Sequence, residues 1–182
     1  MCLGPKAAVP EPLRRLIRYD AIPAVFATPM TQTFRSILVP LQFDDGGLAA
    51  LRLAKEMAIR DHGRLVLLHV IPLREAAFSE QHYCAVGQAA GAEAWVESGA
   101  KRKLEATALE TLDAEVLYST LTRVGDPIAE ILRAEKELGI DLVVMATHGR
   151  RGVWRVALGS VTEKVVRSSI CPVLTTAPEA RG

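Results

Sequence analysis

Apolar runs and amphipathic stretches alternate along most of this chain. Ser36-Ile37-Leu38-Val39-Pro40-Leu41 and Leu65-Val66-Leu67-Leu68-His69-Val70-Ile71 lack the every-other-residue polarity of a half-exposed strand, so each reads as a β-strand covered on both faces. Between them, Asp44-Asp45-Gly46-Gly47 marks a break. Residues 48–60 then place Leu48, Leu51, Ala54 and Ala58 at three- and four-residue spacing, which predicts an amphipathic helix stopped near Gly63. Residues 72–91 are irregular, and an alanine-rich helix over 92–112 follows, with Ala100, Leu104, Ala108 and Leu112 as its stripe. Residues 115–122 alternate, which predicts a third strand nearer a sheet edge. Asp126-Pro127 starts another helix, because aspartate caps and proline suits the first helical position. Its expected buried face is Ile128, Ile131, Leu132 and Leu138, and Gly139 ends it. A fourth buried strand begins near Leu142, and Cys171-Pro172-Val173-Leu174-Thr175-Thr176 carries the last.

Strands separated by helices of 12 or more residues need crossover connections, and therefore a parallel sheet with helices on both sides. The predicted fold over residues 34–177 is α/β: a single doubly wound, Rossmann-like, five-stranded parallel sheet with four helices. Ligands in such sheets bind outside the C-terminal ends of the strands, where the strand order reverses. The candidate segments are Pro40-Leu41-Gln42, Val70-Ile71 and Ala146 to Gly149. Residues 1–33 hold five of the ten prolines and show no sustained period. They are expected to form either a flexible arm or a segment that docks a protein partner, and residues 178–182 a short tail.

Composition narrows the function classes. A formal net charge of +1 gives no electrostatic reason to expect nucleic acid or an anionic membrane as partner. No apolar run approaches the roughly 18 residues of a membrane span, and the apolar stretch Ala24-Val25-Phe26-Ala27 is too short for a secretory signal. Cys2, Cys84 and Cys171 are scattered and odd in number, which points to a reducing, cytoplasmic setting. They lack metal-ligand spacing, and His82 beside Cys84 supplies too few ligands for zinc.

The candidate chemistry lies between Leu142 and Thr176. There a buried strand gives way to a glycine-bearing loop and then to a helix opening at Gly159-Ser160. Unpaired N–H groups and the positive end of the dipole make a helix N-terminus suited to an anion, and phosphate is the obvious one. Gly149 and Gly152 would admit a pyrophosphate close to the backbone, and Arg150, Arg151 and Arg155 would surround it with positive charge. Ser160 has Glu163 three residues later, so it serves equally as the start of a capping box or as a phosphate ligand. His148 is the one histidine placed for a ligand contact, whereas His69 inside a strand reads as a core residue. Asp44 and Asp45 read as helix caps rather than acids or metal ligands. There is no GxxxxGK[ST], no GxGxxG after the first strand, no GxSxG and no nucleophile–base pair, so no catalytic and no protein-held metal residues are assigned.

ILVP at 37–40, LLHV at 67–70, Val124-Gly125-Asp126-Pro127, DLVVMATHG at 141–149, LGSVTEKVVR at 158–167 and CPVL at 171–174 occur in an order that closely resembles the universal stress protein family, over about 140 residues. The resemblance implies a homodimer paired through the last strand, residues 172–176, and a stress regulator that binds ATP, or AMP or ADP, with little or no turnover, usually with a divalent cation such as Mg. Carried onto this chain, it implies nucleotide contacts from Pro40, Leu41, Gln42, Val70, Met145, Ala146, His148, Gly149, Arg150, Gly152, Gly159, Ser160, Val161 and Thr162, with adenine near the Val70 backbone, ribose near the first-strand loop and phosphates across Gly149 and 159–161. This chain departs from the ATP-binding pattern at Gln42, where an acid is general, at Ala146, where glycine is general, and at Asp44, where serine or threonine is common. The ribose half is weakened and the phosphate half nearly intact. A slow Mg-dependent ATPase and an interaction protein that has lost its nucleotide are the alternative readings.

Overall fold

The computed structural model describes residues 33–73, 92–147 and 158–177, with 92–95 described by backbone alone. The expected arm over 1–33 (Thr33 apart), the irregular 74–91 stretch, the tail at 178–182 and the loop residues His148, Gly149, Arg150, Arg151, Gly152 and Arg155 lie outside the described residues.

Five strands and four helices alternate among the described residues: β1 Ser36–Pro40, α1 Asp45–Asp61, β2 Arg64–Pro72, α2 Ala92–Thr111, β3 Leu117–Gly125, α3 Pro127–Leu138, β4 Leu142–Ala146, α4 Ser160–Ser168 and β5 Val173–Thr176. The strands form one parallel sheet in the order β3-β2-β1-β4-β5, so the winding reverses at β1. Successive side chains of a strand point to opposite faces, and here both faces are covered. Ile37, Val39, Leu65, Leu67, Leu142 and Val144 pack with Leu51, Ala54 and Ala58 of α1 and with Leu104 and Ala108 of α2. Leu38, Val66, Leu68, Val143 and Met145 pack on the other face with Ile131 and Ala134 of α3 and Val165 of α4. That two-sided cover explains the continuous apolar runs, since each buried aliphatic side chain contributes about 1.5–3 kcal/mol.

Local boundaries follow capping chemistry. Helix α1 begins at Asp45, earlier than the periodicity placed it, because the Asp44 side chain accepts from the Gly47 N–H and stabilises the first turn. It ends at His62, which takes the left-handed conformation with φ 50°, rather than at Gly63. Asp126 caps α3 through the Ala129 N–H, Pro127 opens it and Gly139 closes it at φ 60°, as expected. The burial of α3 differs from its predicted stripe. Ile131, Ala134 and Glu135 are buried, whereas Ile128, Leu132 and Leu138 are only half-buried. Strand β3 lies at the sheet edge as its composition implied, but runs from Leu117 to Gly125 because it stays paired with β2 as far as Pro72. Its first residues, Leu117, Tyr118 and Ser119, are all exposed, so the alternation does not sort them. No helix among the described residues is long and apolar enough to cross a membrane.

Candidate functional site

The reversal at β1 brings the C-terminal ends of β1 and β4 side by side. Ile37 and Leu38 pair with Leu142 and Val143, and on the other flank Pro40 pairs with Leu68. The first, second and fourth strand ends therefore meet at one edge of the sheet. The structure thus gathers Pro40, Leu41 and Gln42, then Val70, then Met145 and Ala146.

Each segment presents a different part of itself. The Leu41 side chain is 2% exposed and packs toward α1 and α2, so only its backbone faces the edge. Its N–H bonds to β2, reaching Leu68 O at 2.8 Å. The Gln42 carbonyl accepts from Asp44 N at 2.8 Å, and the Gln42 side chain is exposed. Gly47 lies against this turn so closely that a Cβ would stand 2.1 Å from Gln42 O, which only glycine permits. Val70, Met145 and Val161 join one apolar cluster on the α3/α4 face.

On the other side, Thr162 Oγ1 donates to Ala146 O at 2.9 Å, fastening α4 to the end of β4. Gly159 N donates to Thr147 O at 2.7 Å, and Thr147 N donates to Thr176 O at 2.7 Å. The described residues on the two sides of the 148–157 segment are thus joined by the bonds from Gly159 N to Thr147 O and from Thr162 Oγ1 to Ala146 O. The first bond within α4 runs from Glu163 N to Gly159 O, so the N–H groups of Ser160, Val161 and Thr162 have no partner within the helix.

This corrects the capping box. Gly159, at φ −56° and ψ 148°, is the N-cap and makes no side-chain cap bond, while Ser160 already stands inside the helix. Glu163 turns instead to Arg167, 3.0 Å away and one turn later. Ser160 is exposed, leaving its hydroxyl and N–H at the helix mouth. Thr162 is buried with its hydroxyl proton committed to Ala146, so it offers its N–H alone.

Two enclosed polar atoms at this edge, Asp44 Oδ2 and Thr176 Oγ1, have no hydrogen-bond partner from the described residues.

At the far end of α4, Glu135 is 1% exposed, a position that the apolar period of α3 disguised. Its Oε1 accepts from Ser169 Oγ at 2.7 Å, Ile170 N at 2.8 Å and Cys171 N at 2.7 Å, fixing the turn that leads into β5. Burial pushes this carboxyl up, but the combined hydrogen bonds from Cys171, Ser169 and Ile170 outweigh it and hold it below its ordinary value. Burial and the neighbouring Glu135 push the Cys171 thiol up to about 11, so it stays protonated and unreactive near neutrality.

The sequence profile of the universal stress protein family matches residues 33–176. The chain is 30% identical over 156 residues to universal stress protein MJ0577 of Methanocaldococcus jannaschii, covering 80% of this chain and 96% of that one. A solved structure of MJ0577 superposes with a TM-score of 0.68 at 28% identity, over 82% of this chain and 100% of that chain. A crystal structure of a universal stress protein in complex with cAMP superposes with a TM-score of 0.56 at 18% identity, over 81% of this chain and 100% of that chain, a likeness of fold.

Proposed function

The chain belongs to the universal stress protein family, and from that premise we propose that it binds an adenine nucleotide, ATP or AMP, at the C-terminal edge of the sheet, and acts as a regulator without efficient catalysis. The observation that carries this reading is the meeting of the β1 and β4 ends with a helix mouth whose first three N–H groups are free of intrahelical partners. Ser160, Val161 and Thr162 would hold the phosphates through those groups, aided by the dipole of α4. The apolar cluster that includes Val70, Met145 and Val161 would take the base, and Gln42 the sugar. His148, Gly149, Arg150 and Gly152 belong to the proposed phosphate side by their place in the sequence. Ala146 adds only a methyl group relative to the glycine expected there. The likeness of fold to a protein held with cAMP supports a nucleotide as the class of ligand. A divalent cation such as Mg, carried on the phosphates, is part of the same reading.

Gly159→Val tests the phosphate side. Gly159 has φ −56° and ψ 148°, a conformation valine adopts freely, so the fold is expected to survive. Nucleotide affinity is expected to fall at least about tenfold, roughly 1.4 kcal/mol. Calorimetry finding unchanged ATP affinity in the folded variant would make this turn purely structural.

Gln42 tests the sugar side. A neutral amide hydrogen-bonds a hydroxyl without the charge-assisted strength of a carboxylate. Gln42→Asp is therefore expected to tighten ATP by ~1 kcal/mol, and 2′-deoxy-ATP to bind the parent chain nearly as well as ATP. Unchanged affinity in Gln42→Asp would remove Gln42 from the site.

The reading includes a homodimer through β5. This strand forms one edge of the sheet, its residues Val173–Thr176 are only half-buried, and Val166 and Ile170 nearby are exposed at 43% and 69%. An unpaired apolar edge invites pairing with its counterpart. Sedimentation is expected to give a dimer at micromolar concentration and a monomer for Leu174→Pro; a dimer that survives Leu174→Pro contradicts this interface. A cytoplasmic setting and a protein partner for the N-terminal segment complete the proposal.

A further inference from the structure

The backbone ladder of β1 with β2 ends at the Leu41 N–H, which leaves the Leu41 carbonyl without a backbone partner on β2. The His69 side chain of β2 takes that place: its Nδ1 lies 2.8 Å from Leu41 O. A carbonyl only accepts, so Nδ1 carries the proton and donates it. The Phe43 ring stacks against this imidazole with centroids 4.5 Å apart and planes tilted by 37°. Lys103 of α2 places Nζ 4.4 Å over the centroid of the Phe43 ring. A cation, an aromatic ring and an imidazole from three elements thus form a column behind the Leu41–Gln42 peptide.

The location of this column decides what it does. Immediately beyond the peptide it grips, the chain turns and the Gln42 side chain faces solvent. His69 also directly precedes Val70, so one ring joins the first-strand exit to the second-strand end.

We infer that His69 is a positioning residue of the nucleotide site: with Phe43 and Lys103 behind it, the ring orients the Leu41–Gln42 peptide toward the nucleoside part of the ligand, while the phosphates are held independently by α4. The inference rests on the nucleotide-binding reading above and assigns the nucleoside-recognising half of the site to a donor that never touches the ligand.

The test compares Mg-ATP with inorganic tripolyphosphate, which lacks the nucleoside, by calorimetry on the full chain. His69→Leu removes the donor and is expected to weaken ATP about tenfold while leaving tripolyphosphate within about twofold. His69→Asn retains an N–H donor near the Nδ1 position and is expected to recover most of the loss. Unchanged ATP affinity in a folded His69→Leu protein overturns the inference, and so does an equal loss for both ligands, which marks a merely structural role. If His69→Leu does not fold, Phe43→Leu takes its place, with the same expected split between the two ligands and the same two contrary results. A parent chain that binds neither ligand overturns the nucleotide reading itself. A parent chain that binds both, with ATP unaffected by these substitutions, overturns only the role of His69.

Discussion

Gly47→Ala is expected to destabilise the chain by ~3 kcal/mol, lowering the unfolding midpoint by roughly 10 °C for a domain of this size. Gly47 sits in the first turn of α1, where alanine would ordinarily be the better helix former. Here the added Cβ would stand 2.1 Å from Gln42 O, 3.1 Å from Gln42 C and 3.2 Å from Gln42 N. All three atoms are backbone, so no side chain can rotate away and the turn itself must open. Gln42 is the proposed sugar contact, and its affinity for nucleotide is expected to fall along with stability. Gly99→Ala in α2 is the matched control. A Cβ there meets nothing within 4 Å, so the change is expected to stabilise by ~0.5–1 kcal/mol. A thermal scan in which the two variants behave alike would contradict the close approach of the β1–α1 turn to α1.

Glu135→Leu is expected to cost ~4 kcal/mol, because it removes one acceptor from several donors at once. The Ile170 and Cys171 N–H groups and the Ser169 hydroxyl converge on Glu135 Oε1. Leucine fills much of the same space but leaves the Ile170 N–H without its acceptor, and the Ser169 hydroxyl and Cys171 N–H with only their second partners, Cys171 O at 2.8 Å and Ser169 Oγ at 3.3 Å. Glu135→Gln keeps an acceptor and is expected to cost about 1–2 kcal/mol. The sign of the pH dependence follows from the lowered carboxyl. Its contribution is fully present above the ordinary glutamate value and is lost as pH falls through the depressed one. Urea unfolding in the acid range is therefore expected to show a steeper decline for the parent than for Glu135→Gln. Parallel declines would mean that the charge on Glu135 does not hold the 169–171 turn.

Most of the fold was legible because its signals are local. The apolar runs of β1, β2 and β4 reflect cover on both faces, and Asp126, Pro127 and Gly139 bound α3 by chemistry confined to a few residues. The three strand-end segments were recognisable as partners once a parallel sheet was inferred. Features that depend on contacts distant in sequence were not legible. Glu135 occupies a buried position because donors 34 to 36 residues later need it, and α3 alone carries no mark of them. The capping box at Ser160 failed for a related reason: the 2.7 Å bond from Gly159 to Thr147 sets the start of α4 one residue earlier as a cap. His69 was identifiable as a satisfied strand histidine. Its partner, the Leu41 carbonyl, emerged only when β1 and β2 were placed in register.

The central claim is that one edge of the sheet, where β1 and β4 part, takes a nucleotide. Amide chemical shifts followed during an ATP titration test it most directly. The expected result is a saturable set of shifts at Gln42, Val70, Ser160, Val161 and Thr162, with His62, Glu115 and Val116 at the opposite end of the sheet unmoved. Saturable shifts centred on His62, Glu115 and Val116, or no saturable shifts at all, would contradict it.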